Sequence, residues 1–492
     1  MYMKITFSKQ ERRFLQQVGK SIYTNPFTHG RHLSDCRLTG LPEDTDPATA
    51  LQATIAKVTT RVETLAAENK AGLNSCLPED RKSLANLFLF YLFHKYLPHL
   101  DHHIRLQNET IESLPLECGQ QLATELKRFD FSAKQADFYI GLFFQMRRAF
   151  LFIKTSLIGN SPCMEKMRAH LWNTLFTHDI GQYAENLVDK LEDFSTLLIG
   201  ETGTGKGLAA AAIGRSGYIP YNRTTHRFTT SFTRAFLAIN LCQYPEQLIE
   251  SELFGHARGA FTGAVSDHQG LFSRSSRYGA VFLDEIGEVS IQTQIKLLRI
   301  LQERVFAPVG SHTSHRFKGR LIGATNQDPA TLIEQGKFRE DFYFRLCTDT
   351  ITMPSLRKRI DQYPEELELL ASHLVNKIVG DGAKALQERV VDVLRQPQHR
   401  DYHWPGNVRE LEQAVRRILL HGTCRLRGKN GLLEQTKNSI FVRRPTMAEL
   451  SSFYCEFLYR QYNNYQQVAR ITGLDRRTVK KFIEQGKTAG KA

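Results

Sequence analysis

The 492-residue sequence has no apolar run long enough to cross a bilayer. Its longest, residues 87–93 and 149–153, fall far below the ~20 residues that a spanning helix needs. The N-terminus carries Lys4, Lys9, Arg12 and Arg13 but lacks the apolar core of a signal peptide. A cytoplasmic protein without a membrane anchor is expected. The eight cysteines, from Cys36 to Cys455, form no CxxC pair, which argues against a zinc ribbon and against a disulfide-stapled secreted fold, so reduced thiols are expected. Residues 1–155 also lack a strand ending in paired acids, as a phospho-acceptor domain would have, and regulation by phosphorylation is disfavoured.

What is present is a large, basic, globular chain. The length suggests about three domains, and 41% hydrophobic residues is the composition of a folded protein. Lys plus Arg is 65 against 51 Asp plus Glu, a surplus of 14 that calls for a polyanionic partner. Residues 425–492 hold fourteen basic against five acidic residues, so nine of that surplus sit at the C-terminus. Pattern there favours more than a solvated tail. Residues 447–461 read as a helix with Leu450, Phe453, Tyr454, Phe457 and Leu458 on one face, and residues 465–472 form a second. After Gly473, Asp475 can cap a third over 476–485, burying Val479, Phe482 and Ile483. This is a helix-turn-helix, whose second member enters the major groove with its N-terminal residues nearest the bases. Arg476, Arg477 and Thr478 stand there, followed by Lys480 and Lys481, and double-stranded DNA is the expected partner. A basic protein-docking hairpin is the alternative.

In the middle of the chain the β-prone run 195–199 leads into Gly200-Glu201-Thr202-Gly203-Thr204-Gly205-Lys206-Gly207-Leu208 and then a helix. Strand, glycine loop and helix make a phosphate cradle, in which backbone N–H groups converge on phosphate oxygens and Lys206 reaches the terminal phosphates. The residue after the lysine is usually a Ser or Thr that ligates magnesium; here it is Gly207. A distant carboxylate must then hold the metal. Asp284, at the end of the apolar run 280–283, fits that task, and Glu285 beside it fits the orientation or deprotonation of an attacking water. Further β-prone runs at 236–239, 320–324 and 350–353 alternate with helices, which predicts a parallel α/β sheet with ligands at the strand C-terminal ends. Asn240 and Asn326 lie at such ends.

Residues 250–256, ESELFGH, run into Gly259, Ala260, Phe261, Thr262, Gly263 and Ala264. This GAFTGA string resembles the surface loop of the sigma-54-dependent transcriptional activators, a branch of the AAA+ ATPases. The resemblance continues through FLDEIGE at 282–288, ATN at 324–326, FRED at 338–341 and WPGNVREL at 404–411, and covers roughly residues 157–420. It implies an AAA+ domain over 156–354, a helical lid over 355–424, a basic linker over 425–446 and a DNA-binding domain over 447–492. It also implies ATP and magnesium as cofactors, with Asn240 switching Glu285, Asn326 as a sensor, and Arg409 feeling nucleotide in its own subunit. Arg339 and Arg345 match arginine fingers that reach the neighbouring subunit's γ-phosphate, so a ring is implied, usually a hexamer. Residues 259–264 would contact the sigma-54 factor of RNA polymerase, with Phe261 as the contact residue, and hydrolysis would open the closed promoter complex. Two departures stand out. The family usually has Glu where this chain has Gly207, and the interval from Lys206 to Asn240, with its Tyr218-Ile219-Pro220-Tyr221, is longer than usual. Gly207 motivates an alternative function: a regulator that assembles on ATP and binds DNA with impaired hydrolysis.

Residues 1–155 have helical apolar spacing over 48–69, 84–96, 118–128 and 133–157, and a mostly helical regulatory domain is expected. His94, His99, His102 and His103 are dense enough to weigh as metal ligands. Pro98 is expected to interrupt their helix, so a solvated helix end is the better reading. The aromatic residues Phe88, Phe90, Tyr91 and Phe93, with Phe143, Phe144, Phe150 and Phe152, are expected in a core.

Overall fold

The computed structural model describes residues 6–68, 70–380, 382–400, 402–424, 426, 447–462 and 464–489. The expected linker, 425–446, lies outside them apart from Leu426. The chain divides into two compact units, one of residues 1–394 with 404–422 and one of residues 395–403 with 423–492. No helix among the described residues is long and apolar enough to cross a membrane.

The first unit opens with seven helices: α1 (Lys9–Tyr23), α2 (His29–Thr39), α3 (Pro47–Ala67), α4 (Arg81–Asn108), α5 (Gly119–Arg128), α6 (Ala133–Ser156) and α7 (Pro162–Phe176). The capping boxes of Ser8 with Glu11 and of Ser132 with Gln135 fix the starts of α1 and α6 by pairing otherwise orphaned backbone donors. The aromatic expectation holds: Phe88, Phe90, Phe143 and Phe144 are buried in one core, with Tyr91, Phe93 and Phe152 packed against it. The expectation for Pro98 does not. Helix α4 runs through it without a break, its termination delayed because buried Leu92, Tyr96, Leu100 and Ile104 hold the same face on both sides of the proline.

A five-stranded parallel sheet follows, made of β1 (Thr196–Ile199), β4 (Phe236–Asn240), β5 (Ala280–Asp284), β8 (Arg320–Thr325) and β9 (Asp349–Thr352) in the spatial order β4-β5-β8-β1-β9. Short hairpins supply β2 and β3 (Tyr221–Asn222, Arg227–Phe228) and β6 and β7 (Val305–Phe306, His315–Arg316). Helices cover both faces of the sheet, as buried parallel strands require. On one face α6, α7 and α8 (Lys206–Gly214) pack Ile153, Trp172 and Ala210 over Phe282 and Ile322. On the other, α9 (Ile291–Glu303) contributes Leu297 and Ile300. A lid of α10 (Glu366–Val379), α11 (Lys384–Leu394) and α12 (Asn407–His421) completes the unit.

Compactness does not separate residues 1–155 from the sheet. The unassigned segment between Lys206 and Asn240 explains why: Ile219, Tyr221, Phe228 and Phe232 are buried in the core of the N-terminal helices. Phe228 stacks on Phe144 at 3.9 Å. A Cβ on Gly119 would lie 2.2 Å from the Tyr221 hydroxyl, and one on Gly141 2.8 Å from the Tyr218 ring, so each glycine makes room for an inserted tyrosine.

The second unit contains α13 (Met447–Tyr462), α14 (Tyr465–Thr472) and α15 (Arg476–Ala489), packed around Cys455, Leu458, Val468, Val479 and Ile483. Of the residues expected on one face of α13, Leu458 is buried while Leu450, Tyr454 and Phe457 are exposed, and the side chain of Phe453 lies outside the described residues. The buried side of α13 is made by Ser452, Cys455 and Leu458.

Candidate functional site

The loop between β1 and α8 turns with Gly203 (φ 81°) and Gly205 (φ 98°) in the left-handed region. Gly203 is also where the lid closes in. A Cβ there would lie 2.2 Å from the Gly406 carbonyl oxygen, and the Val408 N–H donates to the Gly203 carbonyl at 3.1 Å. Lys206 is buried, and its ammonium donates to the carbonyls of Gly200 (2.7 Å) and Glu201 (3.3 Å). Burial pulls its pKa down, while Glu285 and Asp284 pull it back up. At Gly207 an added Cβ would meet nothing within 4 Å, so packing does not demand glycine there, and Leu208 beside it is exposed.

Asp284 closes β5, and Glu285 follows in a left-handed conformation (φ 58°). Burial raises the pKa of the Glu285 carboxyl against the pull of Lys206, with the Asp284 charge adding to the rise. Parallel pairing of β4 with β5 puts Asn240 beside Asp284. The Asn240 amide accordingly donates to Asp284 at 3.3 Å. Glu285 instead accepts the Asn326 N–H at 3.4 Å, and the Asn326 amide donates to the Thr202 hydroxyl at 3.1 Å.

Lys206, Asn240, Asp284 and Glu285 share a cleft of about 460 Å³, lined by residues 202–208 and these strand ends on the sheet side and by Arg409 on the lid, whereas Asn326 is not among its lining residues. Its far end is apolar, with Ile158, Met164, Leu370 and Leu374 beside His373. That end was missed from sequence, because its residues come from separate helices and share no motif. A buried ion pair orders it: Arg359 donates to Glu366 at 2.8 Å and to the Ile158 carbonyl at 2.5 Å. Glu366 in turn accepts the N–H groups of Asn160 and Ser161.

The lid is fastened to the glycine loop by Asn407, buried at φ 52°. Its amide donates to Glu201 (3.1 Å) and to the Thr202 carbonyl (3.0 Å), and its oxygen accepts the Leu356 N–H (2.7 Å). Arg357 adds an ion pair to Glu201. Glu201 thus faces the lid.

Arg339 is paired with Asp341 at 2.7 Å, and Arg345 donates to the Leu301 carbonyl at 3.1 Å. Neither is among the residues lining the cleft of its own chain. Residues 259–264 form a tight loop in which the Gly259 N–H donates to the Ala264 carbonyl and the Ala264 N–H to the Phe261 carbonyl. Gly259 (φ 81°) and Gly263 (φ 102°) allow these turns. Phe261 is 39% exposed, edge-on to His256 at 4.9 Å, and Thr262 is exposed. In the second unit Arg476, Arg477, Lys480 and Lys481 are exposed on α15, whereas the Thr478 hydroxyl is held by Asp475 at 2.5 Å. Among the described residues no group of His, Cys, Asp or Glu is placed to hold a metal by itself. His94 and His103 are turned into the helical core while His99 and His102 are exposed.

A parallel sheet carrying a glycine-rich loop at one strand end, an acid pair at the next-but-one strand and a helical lid closed over both defines a nucleotide-binding AAA+ ATPase. Residues 176–352 match the Sigma-54 interaction domain family and residues 362–427 the AAA+ ATPase lid domain family. The chain therefore carries a Sigma-54 interaction domain followed by an AAA+ ATPase lid domain. It is 38% identical over 264 residues to the DNA-binding transcriptional regulator NtrC of Azospirillum brasilense, covering 53% of this chain and 47% of that one. It is 35% identical over 298 residues to the transcriptional regulatory protein GlrR of Escherichia coli K12, covering 60% and 63%. With the Nif-specific regulatory protein of Azotobacter vinelandii identity is 43% over 223 residues, covering 45% and 39%. The chain thus spans about half the length of the curated relatives it matches. The crystal structure of NtrX from Brucella abortus aligns at 19% identity and TM-score 0.40 over 73% of this chain and 76% of that one.

Proposed function

We propose that this chain hydrolyses ATP in a homo-oligomeric ring, hexameric as is usual in its family, and uses the energy to remodel the sigma-54 RNA polymerase at promoters whose upstream DNA it binds. The observation that carries the reading is the convergence of Lys206, Asp284 and Glu285 in one cleft, with residues 259–264 standing in a separate exposed loop. The glycine loop cradles the phosphates through its N–H groups, and Lys206 exchanges its carbonyl partners for phosphate oxygens. Glu285 orients the attacking water, a task suited to a carboxylate whose proton affinity burial has raised. Asp284 is the residue that would hold magnesium, which supplies charge neutralisation of the phosphates; the single carboxylate is consistent with a metal held largely by nucleotide and water. The apolar far end takes the base, and Arg409 senses the nucleotide as the lid closes. Arg339 and Arg345, which do not line their own cleft, are fit for the neighbour's.

The division of labour follows the sequence expectation, with residues 1–155 regulatory, 156–354 and 355–424 as ATPase and lid, and 447–492 binding DNA. On α15, Arg476 and Arg477 read base edges, Lys480 and Lys481 meet phosphates, and Thr478 serves chiefly as the partner of its helix cap. Gly207 favours a second reading, assembly on ATP without turnover. Steady-state phosphate release by the intact protein against Glu285→Ala decides between them: a rate lost in the variant supports the first, equal rates the second. Thr262→Ala is expected to abolish open-complex formation while phosphate release persists, and intact activation would remove the loop from the account.

A further inference from the structure

The helix that follows the phosphate loop is gripped at its opposite end by α6. Helix α8 ends at Gly214, and the carbonyls of Arg215, Ser216 and Gly217 follow one another beyond its last turn. Two side chains of α6 take all three. Arg148 donates to the carbonyls of Arg215 and Gly217, each at 2.7 Å, and the Gln145 amide donates to that of Ser216 at 3.1 Å. Gln145, Arg148 and Ser216 are fully buried, so removing either donor would leave buried acceptors unpaired.

The grip is itself held in place. The Arg148 guanidinium lies 4.3 Å from the centroid of Phe144 and 5.4 Å from that of Phe232, and its Nε donates to the Phe144 carbonyl at 3.3 Å. The Gln145 oxygen accepts the buried Tyr183 hydroxyl at 3.0 Å. Burial lowers the Arg148 pKa to about 9, so it remains a cation at neutral pH, the sign that suits the C-terminal end of a helix. The sheet fixes α8 less firmly along its axis. The buried face of the helix includes Ala209, Ala210, Ala212 and Ile213, and alanines offer no long side chains to interlock with their neighbours. Gly214 lets the last turn close on Phe236, where a Cβ would lie 2.2 Å from the ring, but that contact resists motion toward the sheet and not along it.

We infer that Arg148 and Gln145 are positioning residues for the nucleotide: by fixing the far end of α8 they place the N–H groups of residues 203–207 and the Lys206 ammonium where the phosphates bind. The inference rests on the reading of the cleft as the nucleotide site. Neither residue lines that cleft, so their influence must pass through the helix. At 1.5 Å per residue the nine residues of α8 span about 13 Å. Over so short a length a helix moves as a rod, and a shift at Arg215 reappears at Lys206. Where geometry is critical, a misplacement of about 1 Å can cost about 100-fold in rate.

Calorimetric titration of the intact protein with ADP, together with hydrogen exchange read by mass spectrometry, tests the inference. Arg148→Met keeps the bulk but loses the hydrogen bonds, and is expected to bind ADP at least tenfold more weakly than the parent. Arg148→Lys, which restores the charge and one donor group, should recover part of that loss, and Gln145→Met should weaken binding about threefold. Without nucleotide, amides of residues 203–210 should exchange at least tenfold faster in Arg148→Met, while those of β8 keep the parent rate. Phe143→Leu loosens the buried core beside the same helix without touching residues 215–217, and should lower the melting temperature with ADP affinity unchanged. If Arg148→Met does not fold, Arg148→Lys and Gln145→Met decide the matter, since each keeps part of the grip. Parent-like affinity in the folded variants, faster exchange spread evenly over the first unit, or an equal loss of affinity in Phe143→Leu would overturn the inference. A parent protein that fails to bind ADP would instead defeat the reading of the cleft itself.

Discussion

Phe228→Ala removes the side chain that ties the inserted segment to the N-terminal helices. Phe228 is 3% exposed, stacked on Phe144 at 3.9 Å and flanked by Tyr221 and His103 at 5.7 and 5.8 Å. Truncating a buried Phe costs about 3–5 kcal/mol, the larger values where surroundings cannot collapse. Collapse is hindered here, because the hairpin backbone is pinned by the Leu116 N–H on His226 and by the Ser113 hydroxyl on the Phe228 carbonyl at 2.7 Å. A loss of about 4 kcal/mol is expected, a large part of the ~5–15 kcal/mol that holds a typical domain. The N-terminal core and the sheet core also share neighbours, since Tyr139 and Phe152 pack against both. The assay is urea unfolding followed by far-ultraviolet circular dichroism, dominated by the helices, and by fluorescence of Trp172 in the sheet core and Trp404 near the lid. The two signals should change together in the parent protein and at lower urea, with separate midpoints, in the variant. A shift below about 1 kcal/mol with coincident transitions would refute the shared-core argument.

Two further outcomes follow from named contacts. Asn407→Ala removes the amide that joins the lid to Glu201 and Thr202; losing such bonds costs about 1–2 kcal/mol, so ADP should bind roughly tenfold more weakly by calorimetry, and unchanged affinity would show the lid contact to be idle. Low pH should destabilise the first unit. Burial, reinforced by Arg31 and Arg147, holds His94 down to about 3, and burial with Arg148 holds His103 down to about 4. The unfolded chain protonates both near its ordinary value of about 6.5, so it binds more protons than the folded chain as pH falls from there toward 4. Stability from these groups is therefore complete above pH ~6.5 and lost on acidification, at up to roughly 2.7 kcal/mol per pH unit for two histidines. Urea midpoints at pH 7 and pH 5 check this, and His103→Phe should remove about half the slope.

The strands of the sheet were legible because short apolar runs ending in Asn240, Asp284 and Asn326 alternate with helical segments, and a parallel sheet gathers such ends at one edge. The glycine loop and acid pair were legible for the same reason: their chemistry is local in sequence. The apolar end of the cleft was not, since Ile158, Leu370 and His373 meet only through the buried Arg359–Glu366 pair. Nor could spacing show that Asn240 faces Asp284, which depends on strand register. The role of residues 218–232 was hidden because their partners, Gly119, Gly141 and Phe144, lie some hundred residues away on helices whose periodicity reports burial but not what is buried against them. Pro98 misled because local propensity was outweighed by burial on both of its flanks.

The central claim is that a neighbouring subunit completes each nucleotide cleft. Mixing Glu285→Gln subunits, which keep their arginines but lack the water-orienting carboxylate, with Arg345→Ala subunits, which keep the carboxylate but lack the arginine, tests it directly. Phosphate release well above that of either variant alone is the predicted result, because an intact Glu285 then receives an intact Arg345 from next door. A mixture no more active than the average of its two components would contradict it.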